Sequence, residues 1–147
     1  MGIWFGSPAV ADIAALSAGT LSEHIGIEFT HLGEETITAS MPVDPRTVQP
    51  AGVLHGGASV VLAETLASVG GHLTVDPERF QVFGQEINAN HVRPGLPGQT
   101  VHGTAAPLAI GRRSQVWEVK IVNDDGKLVC VSRCTLAVVP LDRSDRP

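Results

Sequence analysis

Between Arg46 and Asp76 the chain carries a single formal charge, Glu64, and it lies inside HGGASVVLAETLASVGG (His55 to Gly71), a run of small and aliphatic residues. The Ala and Leu content of the run, and its length, favour a helix over a strand. On that helix Glu64 shares a face with Val61, Ser68 and His72, while Val60, Leu62, Leu66 and Val69 spread around the other directions. A helix that is apolar on nearly every side needs cover on nearly every side. One sheet can wrap only part of it, so a second subunit is expected to cover the rest. An ionised carboxylate in this setting is unfavourable unless it is paired, hydrated or used. A wet helix edge, or a hydrogen bond to a hydroxyl, would account for Glu64 as well as chemistry would.

The flanking sequence is of a different kind. Ser7 to Ala18 reads as a short helix, with Ser7 as cap and Pro8 at the first helical position. His24 to Gly33 and Glu35 to Val43 alternate like strands, joined by a hairpin at Gly33-Glu34, and Asp44 to Gly52 is a Pro- and Gly-rich loop. Gly70-Gly71 and Pro77 mark the end of the long helix. Four segments rich in β-branched residues follow, starting at Gln81, Gln99, Ser114 and Lys127. They are separated by Pro94-Gly95 with Pro97-Gly98, by Gly111, and by Asp124-Asp125-Gly126, the last a strong hairpin signal. The order is helix, two strands, long helix, four strands. With no βαβ alternation, the expectation is an α+β fold with a mostly antiparallel sheet. The 147 residues fit one domain, with a core over about 24–139 and a polar, frayed tail from residue 141.

A net charge of −5 argues against nucleic acid as a partner, since a phosphate backbone calls for a basic face. The N-terminus lacks the basic start of a signal peptide, and no apolar run reaches a membrane span. Cys130 and Cys134 fall four residues apart on one strand, too far to bridge each other. They read as buried, reduced thiols rather than a redox or metal pair, which suits a cytoplasmic protein. No metal and no resident cofactor are expected.

VLHGG, at the start of the long helix, places Gly56 and Gly57 where backbone N–H groups are unsatisfied and open to close approach. Such a helix start suits an oxyanion or a polarised carbonyl. With a carboxylate two turns on, the pair suggests acyl transfer. Gly56 and Glu64 are separated by ~12 Å along one helix, however, and cannot serve the same carbonyl within one subunit. Two such helices packed antiparallel across a dimer would bring one subunit's Gly56 near the other's Glu64.

QPAGVLHGGASVVLAETLASVGG, with EINANHVRPG and GRRSQVWEVKI downstream, resembles the hotdog-fold acyl-CoA thioesterases, in the branch of 1,4-dihydroxy-2-naphthoyl-CoA hydrolase and the glutamate-dependent 4-hydroxybenzoyl-CoA thioesterases. The resemblance runs from about Ile25 to Val139. It implies an antiparallel sheet wrapped around the long helix, dimers joined edge to edge, and usually a homotetramer of two dimers. It also implies hydrolysis of an acyl-CoA, an aromatic one by resemblance, with coenzyme A as part of the substrate. Glu64 matches the family's catalytic carboxylate, as nucleophile or general base. Gly56 matches the N–H donor to the thioester oxygen, Gln49 and His55 the side chains around that carbonyl, and Ser68 the hydroxyl that helps place water. Relatives often carry an aromatic residue where this chain has Ala51, which would reshape the acyl pocket.

Coenzyme A brings phosphates, and an acidic protein needs a local basic patch for them. His91 and Arg93 at one strand end, and the turn Gly111-Arg112-Arg113-Ser114, are the candidates. His91 could equally be structural. His72 and His102 are expected to be structural, and Trp117 to lie in the core. Two other functions fit less well. A hydratase or dehydratase of acyl thioesters would want a His–Asp or His–Glu pair at the substrate, and a non-catalytic acyl-CoA sensor would not depend on Glu64.

Overall fold

The computed structural model describes residues 2–141. Most of the tail expected to fray lies outside the described residues. Two short helices, α1 (Val10–Ala15) and α2 (Leu21–His24), precede the hairpin of β1 (Glu28–Leu32) and β2 (Ile37–Pro42). The long helix α3 (Gly56–Leu73) follows, then β3 (Phe80–His91), β4 (Thr100–Ile110), β5 (Ser114–Val122) and β6 (Leu128–Pro140). All six strands form one sheet in the order β1-β2-β4-β5-β6-β3, and each neighbouring pair is antiparallel. The α+β fold and its single long helix are as the sequence implies. Helix α3 carries the chain from β2 to the opposite edge of the sheet, where β3 pairs with β6 and leaves its other edge open.

Alternation sets the sheet's inner face. Ile37, Ala39 and Met41 of β2, Trp117, Val119 and Ile121 of β5, and Cys130, Cys134 and Leu136 of β6 are fully buried against Leu62, Ala63, Leu66 and Ala67 of α3. Trp117 is in the core, as expected. Both cysteines are buried and free, and burial raises both thiols, Cys134 to about 11.

Gly70-Gly71 do not end the helix, which continues to Leu73. They let it seat close against the sheet: a Cβ on Gly70 would lie 2.9 Å from the Trp117 ring, and one on Gly71 would collide with Leu136. The end is made by Thr74, whose hydroxyl donates to the Gly71 carbonyl at 2.8 Å.

Two boundaries differ from the sequence reading, and one strand carries an irregularity. Helix α1 is six residues long and starts after Ala9 rather than Ser7, because the Asp12 carboxylate accepts from the Ala9 N–H at 3.2 Å and supplies the cap locally. His24 ends the one-turn helix α2 instead of opening a strand. Gly26, at φ +76°, then turns the chain before β1 begins at Glu28. In β4 the register shifts between Pro107 and Ala109, where proline has no N–H for the ladder. The Asp125-Gly126 hairpin forms as expected, with Gly126 at φ +73° and the Asn123 side chain accepting from the N–H groups of Asp125 and Lys127.

Candidate active site

The loop before α3 is held from within. The buried Thr47 donates its hydroxyl to the Pro42 carbonyl at 2.7 Å, and its own carbonyl accepts from the His55 N–H at 2.8 Å. Arg46 pairs with Asp44 at 2.7 Å, which lowers the Asp44 carboxyl and raises the guanidinium. On this frame the Gln49 side-chain oxygen accepts from the Ala51 N–H at 2.6 Å, which leaves its amide NH2 free to donate.

His55 caps the helix: its Nδ1 accepts from the Gly57 N–H at 2.8 Å. That bond assigns the ring's proton to Nε2 when it is neutral. The Gly56 N–H has no hydrogen-bond acceptor among the described residues. The His91 ring lies over Gly56, so closely that a Cβ there would sit 2.9 Å from Nε2. Gln49, Gly56, His91 and Arg93 line one cleft of about 380 Å³, together with Ser59, which the sequence reading did not single out.

Glu64 and Ser68 line a second cleft of about 400 Å³, closed on its other side by residues between α1 and β1. Glu64 is half-buried. Its carboxylate has neither an ion-pair nor a hydrogen-bond partner among the described residues, and neither has the Ser68 hydroxyl. Of the two bland accounts of Glu64, a hydrogen bond to a neighbouring hydroxyl does not hold, while a wet helix edge agrees with its half-buried place in an open cleft. The carboxylate lies against Gly84 of β3, where a Cβ would collide with it.

The third group stands at the other end of α3. Gly111 and Ser114 close the β4–β5 turn through the Gly111 N–H and the Ser114 carbonyl at 2.9 Å. Arg112 and Arg113 are exposed, with no ion pair among the described residues, and they line a cleft of about 800 Å³ with Asp76 and Phe80.

One protomer thus assembles Gln49, Gly56, His91 and Arg93, and separately Glu64 with Ser68, and separately again the two arginines. The three groups are strung along a helix of 18 residues, ~27 Å long. Ala51 lines none of these clefts. His102 bonds Asp124 at 3.0 Å beside the β5–β6 turn; that bond and the Thr100 N–H, the larger effect, lower the Asp124 carboxyl. No group of three or more His, Cys, Asp or Glu side chains among the described residues could hold a metal ion. No described helix is long and apolar enough to cross a membrane.

A helix start with a free N–H, two unpaired polar side chains further along, and a wrapped antiparallel sheet define an esterase-like site on a hotdog fold. The profile of the Thioesterase superfamily matches residues 51–130. The 1,4-dihydroxy-2-naphthoyl-CoA hydrolase of Escherichia coli is 46% identical over 93% of this chain and 99% of its own length. Among solved structures, a glutamine-to-alanine mutant of a Pseudomonas aeruginosa thioesterase superposes with TM-score 0.92, at 43% identity, covering 95% of this chain and 100% of that one. A Staphylococcus aureus thioesterase superposes with TM-score 0.79, at 39% identity, over 82% of this chain and 99% of its own. Separate structures of it carry a glutamate changed to alanine at its position 47 and a glutamine changed to alanine at its position 32, fifteen residues apart like Gln49 and Glu64. The chain belongs to the hotdog thioesterase superfamily, and its activity is thioester hydrolysis.

Proposed function

We propose that this protein hydrolyses an acyl-CoA, with an aromatic acyl group, to the free acid and coenzyme A at sites shared between two subunits. The observation that carries this reading is the Glu64 carboxylate, half-buried in a cleft and unpaired among the described residues. A carboxylate held among apolar side chains with no protein partner is free to meet a ligand, and its presence points to chemistry. The glutamine and glutamate chosen for mutation in the relatives, at the same spacing, support the same two positions.

The open edge of β3 supports the shared site. Gly56 lies against His91 near one end of this strand, and Glu64 lies against Gly84 nearer the other. Antiparallel pairing of two β3 edges brings the partner's His91 toward Gly84, and with it the partner's Gly56 toward Glu64. The same two-fold carries the partner's Arg112 and Arg113 toward the end where His91 and Arg93 stand, so one coenzyme's phosphates meet cations from both subunits.

In that site the Gly56 N–H, at the positive end of the α3 dipole, takes the thioester oxygen, with the Gln49 amide and the His55 Nε2–H beside it. Glu64 of the other subunit either attacks the carbonyl carbon or removes a proton from the water that does, and Ser68 orients that water. The tetrahedral intermediate collapses, the C–S bond breaks, and the coenzyme thiolate leaves and is protonated. If Glu64 is the nucleophile, water then cleaves the mixed anhydride. The aromatic acyl group is taken from the E. coli relative, whose name gives a dihydroxynaphthoyl thioester.

A hydratase would need a histidine–carboxylate pair at the substrate. Within one protomer the described pair of this kind, His102–Asp124, stands outside all three clefts. The test is thiol release from aromatic and aliphatic acyl-CoAs by wild type and Glu64→Ala. Release by wild type that is lost in the variant is expected. A folded Glu64→Ala protein with near-normal turnover would refute the mechanism.

A further inference from the structure

The N-terminal segment is buried at both ends and exposed in the middle. Ile13 of α1 is 1% exposed, and Ile25 and Ile27 are buried, but Leu16 and Leu21 between them are 56% and 57% exposed. The two leucines face the cleft that holds Glu64, whose remaining apolar lining is Phe29, Val61 and Val69. Ser17 and Ser22 line it as well. Both are half-buried where Ala18, Gly19 and Thr20 between them are exposed; Thr20 also lines the cleft, but its hydroxyl donates to the Ser17 carbonyl at 2.6 Å. Neither serine hydroxyl has a hydrogen-bond partner among the described residues. The cleft is therefore an apolar compartment beside the catalytic carboxylate, with two free hydroxyls on its outer wall.

We propose that residues 16–22 form the acyl-selecting wall of this enzyme: Leu16 and Leu21 clamp a compact apolar acyl body, and Ser17 and Ser22 favour one bearing a hydroxyl substituent. The proposal rests on Glu64 being the reacting carboxylate. It separates selection from catalysis, since the wall comes from a segment that the reacting residues do not use. The staphylococcal relative keeps the fold with 17 fewer residues ahead of its matching glutamate, at position 47 there and 64 here, so the fold survives without this length of chain.

The experiment compares kcat and KM for 4-hydroxybenzoyl-CoA, benzoyl-CoA and octanoyl-CoA in wild type, Leu16→Ala/Leu21→Ala and Ser17→Ala/Ser22→Ala. All four side chains are outside the buried core, so both variants fold. Wild type should prefer the hydroxylated over the plain aromatic ester by about tenfold, and the serine variant should bring the two within about threefold of each other. The leucine variant should raise KM for both aromatic esters about tenfold while kcat changes little. An unchanged hydroxyl preference in the serine variant, no preference in wild type, or an equal kcat loss on all three esters in the leucine variant would overturn the proposal. If wild type releases no thiol from any ester, or Glu64→Ala matches it, the hydrolytic reading itself fails instead.

Discussion

A carboxylate held half-buried without a partner destabilises the state that holds it, so removing it should relieve the fold while disabling the chemistry. Glu64→Ala is expected to lower kcat by about 10²–10⁴-fold, with a Tm equal to or slightly above wild type by calorimetry. The oxyanion donor can be removed just as cleanly. Gly56 is the first residue of α3, where proline is favoured, and His55 before it already sits at φ −68°, ψ 129°, the conformation a following proline demands. The three atoms nearest to a Cβ there all belong to the exposed His91 ring, which can swing aside. Gly56→Pro should keep the fold and reduce kcat by about 10²–10³-fold. The thiol of Cys134 gives a pH prediction. Burial, and then the charges of Glu64 and Glu86, raise it from 9.0 to about 11 in the folded protein. Its contribution to stability is complete below the unfolded value and is lost as pH rises between the two. Urea titrations from about pH 8 to about pH 10.5 should show a decline that Cys134→Ala flattens. Glu64 and Gly56 were legible in sequence because charge and glycine placement are local signals. That Gly84 makes room for the carboxylate, or His91 covers Gly56, was not, since both contacts join residues 20 or more apart in the chain.

Strands announced themselves through alternation and turn chemistry, and all six stand where β-branched or alternating runs placed them. Of the short helices, α1 lies within the Ser7–Ala18 run that the sequence implies, though it is shorter at both ends, and α2 went unread. At four residues α2 has too few turns for a periodic signal, and local caps and a left-handed glycine set the ends of both. Nor could sequence say which strand is at an edge, because strand order depends on long-range pairing. That order leaves β3 open. The Asn88 carbonyl accepts from the Ser132 hydroxyl on β6 at 2.8 Å, and the Val92 N–H donates to the Val129 carbonyl, so even-numbered residues here face β6. Ala89 then directs its N–H to the open edge. Ala89→Pro should keep the β3–β6 ladder, as proline is tolerated at an outward edge position, while blocking any strand that pairs there. Size-exclusion chromatography with light scattering should find a smaller species than wild type, folded by circular dichroism and without thioesterase activity. A variant of wild-type size and activity would remove β3 from the interface.

At the scale of the molecule, one question decides whether the three clefts along α3 are parts of one site. A helix ~12 Å long between Gly56 and Glu64 cannot bend to bring them together, so either the site is completed by a second copy or the two residues do not share a reaction. Complementation separates these cases without a structure of the assembly. Gly56→Pro and Glu64→Ala are each expected to be inactive alone. In a two-fold dimer of one subunit of each kind, one site combines both defects and the other combines neither. Co-expressed at equal levels and randomly paired, half the dimers are mixed and each carries one intact site, so about a quarter of wild-type activity should return. Subunits whose sites are each complete within one chain would return none. Recovery should also vanish when either variant carries Ala89→Pro, because restoration then depends on the β3 edge that brings the two halves together.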